Sequence, residues 1–277
     1  MGMRISTNLA SINAQRTLTQ SQSAIQKSMA QMSSGSRITK AADDAAGLGV
    51  SENLKSQIRS YSQATRNAND GISMVQVAEG GLGEISNILT RLRELAIQSS
   101  SDTVGDTERG YISKESDQLI NEVERIAKTN RFGKISMLDG KAGNYDIQVG
   151  INNNDFEDRI SFNASQLDAT TSSLGIEGLD LGSKSGAQSM LMTIDGAQEK
   201  VSGFRANIGA IQNRLESATS NLGVQHENLS AANSRIRDTD IAQASADAAR
   251  NQVLLQASTA TLAQANQQPQ LALKLIS

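Results

Sequence analysis

Apolar positions step strictly by three and four through Ile194, Ala197, Val201, Phe204, Ile208, Ile211, Leu215, Ala218, Leu222, Gln225, Leu229, Ala232 and Ile236, with Gln225 the one polar member. Such a run predicts a helix roughly 60 Å long at about 1.5 Å per residue, carrying one apolar stripe. A second stripe passes through Leu54, Ile58, Tyr61, Thr65, Ala68, Ile72 and Val75; Ala78 then arrives a residue early, and Leu82, Ile85, Leu89, Leu92 and Ala96 resume the beat. The early step is a stammer in a coiled-coil pattern. It falls beside Gly80, Gly81 and Gly83, which lower helix propensity but let a neighbouring backbone come close.

Shorter elements surround these two rods. After a break at Ser99 to Asp106, with Asp106 or Thr107 as cap, Ile112, Leu119, Val123 and Ile126 predict a shorter helix. Tyr145, Ile147 and Val149 alternate, and Phe156, Ile160 and Phe162 follow a polar run from Asn152 to Asp155, so a small β-hairpin or two is expected between Phe132 and Phe162. Residues 164–189, rich in Ser, Thr and Gly, read as an exposed connection with little core of its own. At the N-terminus Ile5, Leu9, Ile12, Leu18, Ile25 and Met29 mark an amphipathic helix; at the C-terminus Ile241, Ala248, Leu255 and Leu262 fall seven apart, before Pro269 and the apolar Leu271, Leu273, Leu275 and Ile276.

A long helix with a single apolar stripe cannot close a core alone, so the rods must pair and the ends must pair. The expected fold is mainly α: a long antiparallel coiled-coil helical bundle with a small β-hairpin region, whose N- and C-terminal helices pair on assembly. Its parts are an N-terminal helical segment, 1–42; rod helices, hairpin and exposed connection, 43–190; a C-terminal rod helix, 191–237, packing on 43–130; and a C-terminal helical segment, 238–277. Ordering either end costs more backbone entropy than its few large apolar side chains offset. Laid against copies of itself, the pair buries its remaining faces, and head-to-tail contacts that do not close into a ring generate a helical filament. The terminal residues just named are therefore the expected filament-core packing positions, ordering on polymerisation.

Composition narrows the chemistry. The 277 residues carry a net charge of −3, one histidine (His226), one proline, no cysteine and no tryptophan. That leaves no zinc finger, iron–sulfur cluster, disulfide framework or thiol nucleophile. With 3% aromatic residues and a mildly acidic balance, the chain lacks the stacking platforms and phosphate-neutralising field of a nucleic-acid binder. No stretch approaches 18 uninterrupted apolar residues, so no membrane insertion is expected, and the first thirty residues lack the apolar run of a secretory signal. The acid-free segment 1–42 has the composition of a mitochondrial transit peptide, and Met1-Gly2 with Ser6 matches a loose myristoylation pattern.

Asp43 and Asp44 form a carboxylate pair with no convergent base or metal motif, and read as a hinge or cap between terminal helix and rod. The run from Asn152 to Asp158 lacks the glycine and distal glutamate of an EF-hand and reads as a solvated turn. His226 falls on a helix flank without a ligand role, and of the sequons at Asn163 and Asn228 the second overlaps the buried stripe at Leu229.

Three motifs carry a resemblance. Ser33-Ser34-Gly35-Ser36-Arg37-Ile38, followed by Ala42-Asp43-Asp44-Ala45-Ala46-Gly47-Leu48, resembles the N-terminal signature of bacterial flagellins. Arg235-Ile236-Arg237-Asp238-Thr239-Asp240, with Gln256-Ala257-Ser258-Thr259-Ala260 and Leu262-Ala263-Gln264-Ala265-Asn266, resembles their C-terminus, and Asn130-Arg131-Phe132-Gly133-Lys134 with Leu138-Asp139-Gly140 the turn after their second core helix. The resemblance implies a homopolymer: a flagellar filament subunit for swimming, secreted, with paired terminal helices lining an inner tube. It further implies unfolded export through the flagellar type III apparatus, with a chaperone on the C-terminal segment, and flagellar cap and hook-junction proteins as partners.

The chain departs from many flagellins in size, since only about residues 164–189 stand where those carry large outer domains. Leu89 to Gln98 is similar to the segment read by the animal flagellin-sensing Toll-like receptor, which carries a recognition role onto Arg91, Leu95, Gln98 and Glu115. A hook–filament junction protein, or another helical binding module of the same apparatus, would share the terminal helices. An enzyme is the weakest reading: no nucleophile–base pair or phosphate loop is present, the metalloprotease motif inserted in some flagellins is absent, and no cofactor or metal is implied.

Overall fold

The computed structural model describes residues 7–276, with side chains to Gln267; Met1, Gly2, Ile5 and Ser6, and the side chains of Pro269 and the apolar tail, lie outside the described residues. In chain order the elements are α1 (Leu9–Ser34), α2 (Ala45–Ser99), α3 (Asp106–Thr129), β1 (Arg131–Phe132), β2 (Ile135–Ser136), β3 (Asn144–Gln148), β4 (Arg159–Asn163), a short 3-10 turn (Ala164–Gln166), α4 (Thr171–Leu174), α5 (Lys184–Arg237) and α6 (Ile241–Ile276). They form two compact units, one from residues up to Gln57 together with those from Asn228 on, the other from Ile58–Glu227. The fold is mainly α, with two small antiparallel sheets.

In the unit from Ile58 to Glu227, α2 and α5 run antiparallel. Their register is marked by Arg93 donating to Asp195 at 2.6 Å and Gln198 donating to the Ser86 hydroxyl at 2.7 Å. The stripe on α2, through Val75, Leu82, Ile85, Leu89, Leu92 and Ala96, is fully buried against Ile194, Val201, Ile208 and Leu215 of α5 and Ile112 and Val123 of α3. The stammer has a physical use. A Cβ on Gly81 would lie 2.3 Å from the Asn130 amide nitrogen and 2.7 Å from Leu138, so the glycine admits the turn that follows α3. From there Asn130 donates to the Val77 carbonyl at 2.9 Å. Strands β3 and β4 pair Tyr145 with Phe162 and Ile147 with Ile160, and their buried members close the same core.

Two expectations need correction here. Residues 164–189 are not an exposed connection: Leu167, Leu174, Ile176 and Leu181 are buried in the core, and α5 begins at Lys184. Their spacing follows no helical or strand period, so the apolar signal hides among Ser, Thr and Gly, yet each side chain drops singly into a gap of the bundle. The cap of α3 is Gly105, not Asp106 or Thr107; Asp106 instead accepts a hydrogen bond from Arg109 at 2.8 Å. Buried Arg109 also donates to the Ser99 and Ser101 carbonyls, both at 2.9 Å, and so satisfies the open end of α2.

In the other unit α1 and α6 pair antiparallel, with Asn8 donating to the Ala265 carbonyl at 2.8 Å and Ser11 to Asn266 at 2.9 Å. Buried and half-buried positions include Ser11, Ala14, Leu18, Ser21, Ile25, Ser28 and Met32 on α1, and Ala244, Ala248, Asn251, Leu255, Ser258, Leu262 and Ala265 on α6, with Ala24, Gln31 and Asp247 half-buried at the seam's edge. Both sets step by three and four, a coiled-coil seam made mostly of small residues. The unit boundaries fall at Gln57 and Asn228, so the first turns of α2 and the last of α5 belong with the ends, a different division from the one at 42 and 238.

Candidate assembly surfaces

Gly35, at φ 66°, ends α1 in the left-handed region and turns the chain back on itself. The next residues pair with the end of α5: Thr239 donates its backbone N–H to the Gly35 carbonyl at 3.0 Å, Arg37 its N–H to the Arg237 carbonyl at 2.6 Å, and the Arg37 guanidinium to the Ile236 carbonyl at 2.8 Å. Ile38 is buried beneath this crossing, and Arg237 bonds Glu52 at 2.6 Å.

Asp43 and Asp44 divide the labour at the entry to α2. The Asp43 carboxylate accepts from Lys27 at 2.8 Å, from the Thr39 hydroxyl at 2.9 Å, and from the Thr39 and Lys40 backbone amides at 3.1 Å each. The Lys27 ammonium first, then the Thr39 hydroxyl and the Lys40 amide, hold its pKa well below the usual carboxylate range. Asp44 stands one residue before α2 and accepts from the Gly47 amide at 2.7 Å. The signature around Gly35 to Gly47 is thus a clasp joining the two ends.

The filament-core residues expected from sequence split between two faces of the α1–α6 pair. Leu18, Ile25, Ala248, Leu255 and Leu262 lie in the seam, whereas Leu9, Ile12, Met29 and Ile241 point outward and are exposed. Val253 and Leu254, which the sevenfold spacing passed over, are also exposed. The signal was present in the triplet Val253-Leu254-Leu255, because three successive residues of a helix cannot share one face. The outer surface of the pair otherwise carries Gln, Ser, Thr, Asn and Ala, with Arg16, Lys27 and Arg250 its exposed charges among the described residues.

On the rod, Arg91 donates to Glu115 at 2.8 Å and to Glu94 at 3.0 Å, and these two carboxylates, Glu115 foremost, raise its pKa. Gln98 is exposed beside them. Leu95 is 1% exposed and packs in the core, so it offers no side chain to a partner in the folded unit. Phe156, grouped by its sequence pattern with Ile160 and Phe162, is instead exposed at the tip between β3 and β4, and Met192 on α5, outside the stripe, is exposed as well. Among the described residues no group of three His, Asp or Glu side chains could hold a metal ion, and no helix is long and apolar enough to cross a membrane.

Residues 5–143 match the bacterial flagellin N-terminal helical region, and residues 191–276 the bacterial flagellin C-terminal helical region. The chain is 42% identical to the flagellin of Halalkalibacterium halodurans, across 99% of this chain and 100% of that one. It is likewise 42% identical to a flagellar filament core protein of Brachyspira hyodysenteriae, with the same coverage. The crystal structure of Bacillus cereus flagellin matches with a TM-score of 0.51 at 32% identity, covering 61% of this chain and 94% of that one. The chain belongs to the bacterial flagellin family, whose members are structural subunits of the extracellular flagellar filament.

Proposed function

We propose that this chain polymerises head to tail into the helical filament that drives swimming, and that the α1–α6 pair is the surface through which copies stack. The supporting observation is the packing of that pair: small residues and a few large ones, Leu18, Ile25, Met32, Leu255 and Leu262, make the seam, while Leu9, Ile12, Met29, Ile241, Val253 and Leu254 stand in solvent. These exposed apolar side chains are surface that packing against further copies would cover. Warming concentrated protein with filament seeds and imaging the product tests the reading. Fibres are expected from the unaltered chain, and their absence at every concentration overturns it.

Before assembly the same surface would need cover, which supports export of an unfolded chain through the flagellar type III apparatus, with a chaperone on the C-terminal segment and secretion to the cell exterior. Flagellar cap and hook-junction proteins meet the filament ends in this scheme. Recognition by the animal flagellin-sensing Toll-like receptor rests on Arg91, Gln98 and Glu115, which stand together on the exposed side of α2 and α3. A receptor reporter-cell assay should respond to the monomer; silence at high concentration removes this part of the proposal.

A further inference from the structure

The chain has eight methionines but no cysteine and no tryptophan, so thioethers are its most readily oxidised side chains. The fold sorts them by access. Met74, Met137 and Met190 are 6%, 0% and 2% exposed in the core of the rod unit, and Met32 is half-buried in the seam between α1 and α6. Met29 and Met192 stand in solvent, at 61% and 82% exposure. Oxidation follows exposure, so these two sulfurs take up oxygen before the others.

The two exposed sulfurs differ in their surroundings. Met192 lies on α5 in the rod unit, whereas Met29 belongs to the outward apolar set of the α1–α6 pair. The other members of that set among the described residues, Leu9, Ile12, Ile241, Val253 and Leu254, are hydrocarbon and inert to peroxide. Met29 is therefore the one position on this face, among the described residues, whose polarity a mild oxidant can change.

We infer that Met29 is an oxidant-sensitive modification site that decides whether a free chain can assemble. The inference rests on the filament reading above and deepens it by naming where assembly is chemically switched. The Met29 sulfur lone pair attacks one oxygen of hydrogen peroxide and the O–O bond breaks. The departing hydroxide takes the proton of the new S–OH group and leaves as water. The thioether, having lost two electrons, is now a sulfoxide, and the peroxide is reduced. In the free chain the polar S–O group stays hydrated at no cost, but stacking against an apolar neighbour strips its water. Oxidation at Met29 thus acts on assembly and leaves the fold of the single chain alone. Stacking also covers the sulfur, so a copy already in a filament is shielded.

Peptide mass spectrometry of full-length monomer in dilute hydrogen peroxide should show sulfoxide at Met29 and Met192 forming about tenfold faster than at Met74, Met137 and Met190. The critical concentration for seeded assembly should then rise about tenfold, a factor equivalent to about 1.4 kcal/mol, at an unchanged monomer melting temperature. M29L, a substitution that keeps volume and removes the sulfur, should assemble at the wild-type concentration before and after peroxide. M29Q should assemble poorly without any oxidant. The two epimer-specific methionine sulfoxide reductases, supplied with a dithiol as reductant, should restore assembly of the oxidised chain. In filaments grown first and treated afterwards, Met29 should oxidise about tenfold more slowly than in the monomer. M29L as sensitive as wild type, M29Q assembling normally, reductase-treated chain still impaired, or Met29 oxidised equally fast in filament and monomer overturns the inference. Untreated wild-type protein that forms no filaments overturns the filament reading itself and is scored separately.

Discussion

Between residues 58 and 227 the fully buried positions include many large side chains, among them Leu82, Ile85, Leu89, Leu92, Leu95, Phe162, Leu167 and Ile176, beside small ones such as Ala68 and Ala78. In the unit built from both ends of the chain, the buried positions among the described residues are Ser21, Ser28, Ser51, Ala244, Ser258 and Ala265, with Ile38 the one large side chain. The rod unit withdraws most of its large apolar side chains from water within one molecule, with exceptions such as Phe156 and Met192, whereas the end unit buries few and leaves most of its own outside or half covered. Fold energy follows apolar area removed from water, so the first can stand alone and the second gains from neighbours. Self-assembly is then a property of where the large side chains point, not of how many there are.

The comparison breaks most sharply if the rod is damaged. Leu92→Ala, at a fully buried position, should cost about 2–5 kcal/mol and lower the melting temperature seen by circular dichroism. An unchanged melting curve would mean the rod is not the stable unit. Val253→Asp should act on the other term alone. It places a charge on the proposed stacking surface, should raise the critical concentration about 100-fold, equivalent to about 2.7 kcal/mol, and should leave the melting temperature in place. Leu255→Asp, one to two residues along the helix from Val253 and Leu254, should instead separate α1 from α6 within the single chain, visible as lost amide protection on both helices. If both substitutions gave the same result, the distinction between seam and outer face would fall.

That distinction marks how far the sequence was legible. Period and stripe were readable wherever the core is one-sided and continuous, as from Leu54 to Ala96 and Ile194 to Ile236, because burial against one partner imposes a single helical period. The terminal helices carry two apolar faces of different destiny, and a period alone assigns Leu9 and Leu18 to one stripe although only Leu18 turns inward. The segment from Ala164 to Leu181 failed for the opposite reason: irregular backbone sets each buried side chain by tertiary fit, so no period exists to find. The clasp was legible as a motif at Asp43 and Asp44, but the partners Lys27 and Thr39 of Asp43 follow from a turn that spacing does not encode.

Smaller changes refine each half. Gly81→Ala should cost about 1–3 kcal/mol, because the added carbon meets Asn130 and Leu138 and weakens the bond to the Val77 carbonyl. Thermal unfolding reads this, and a stabilised variant would refute the close approach. At the clasp, the lowered pKa of Asp43 fixes the sign of a pH effect. The carboxylate contributes fully above the unfolded value of about 3.9, and its contribution fades as pH falls through the lower folded value. Exchange of the Thr39 and Lys40 amides should therefore accelerate in strong acid in the unaltered chain, and be fast with little pH response of this origin in Asp43→Asn.

The smallest expected effect separates a surface role from a core role at the rod patch. Arg91 is half exposed and its ion pairs with Glu115 and Glu94 are open to solvent, so Arg91→Ala should leave the melting temperature where it is. Leu95→Ala empties a core site instead and should cost about 2–5 kcal/mol. A receptor signal lost in both variants carries different meanings: in Leu95→Ala it follows from a loosened rod, in Arg91→Ala from a missing contact. Glu115→Gln supplies the control, since it removes the charge that faces Arg91 while keeping the shape and an acceptor oxygen. Retained signalling in Arg91→Ala, at unchanged stability, would take that side chain out of recognition and leave its pairing with Glu115 as a link between α2 and α3.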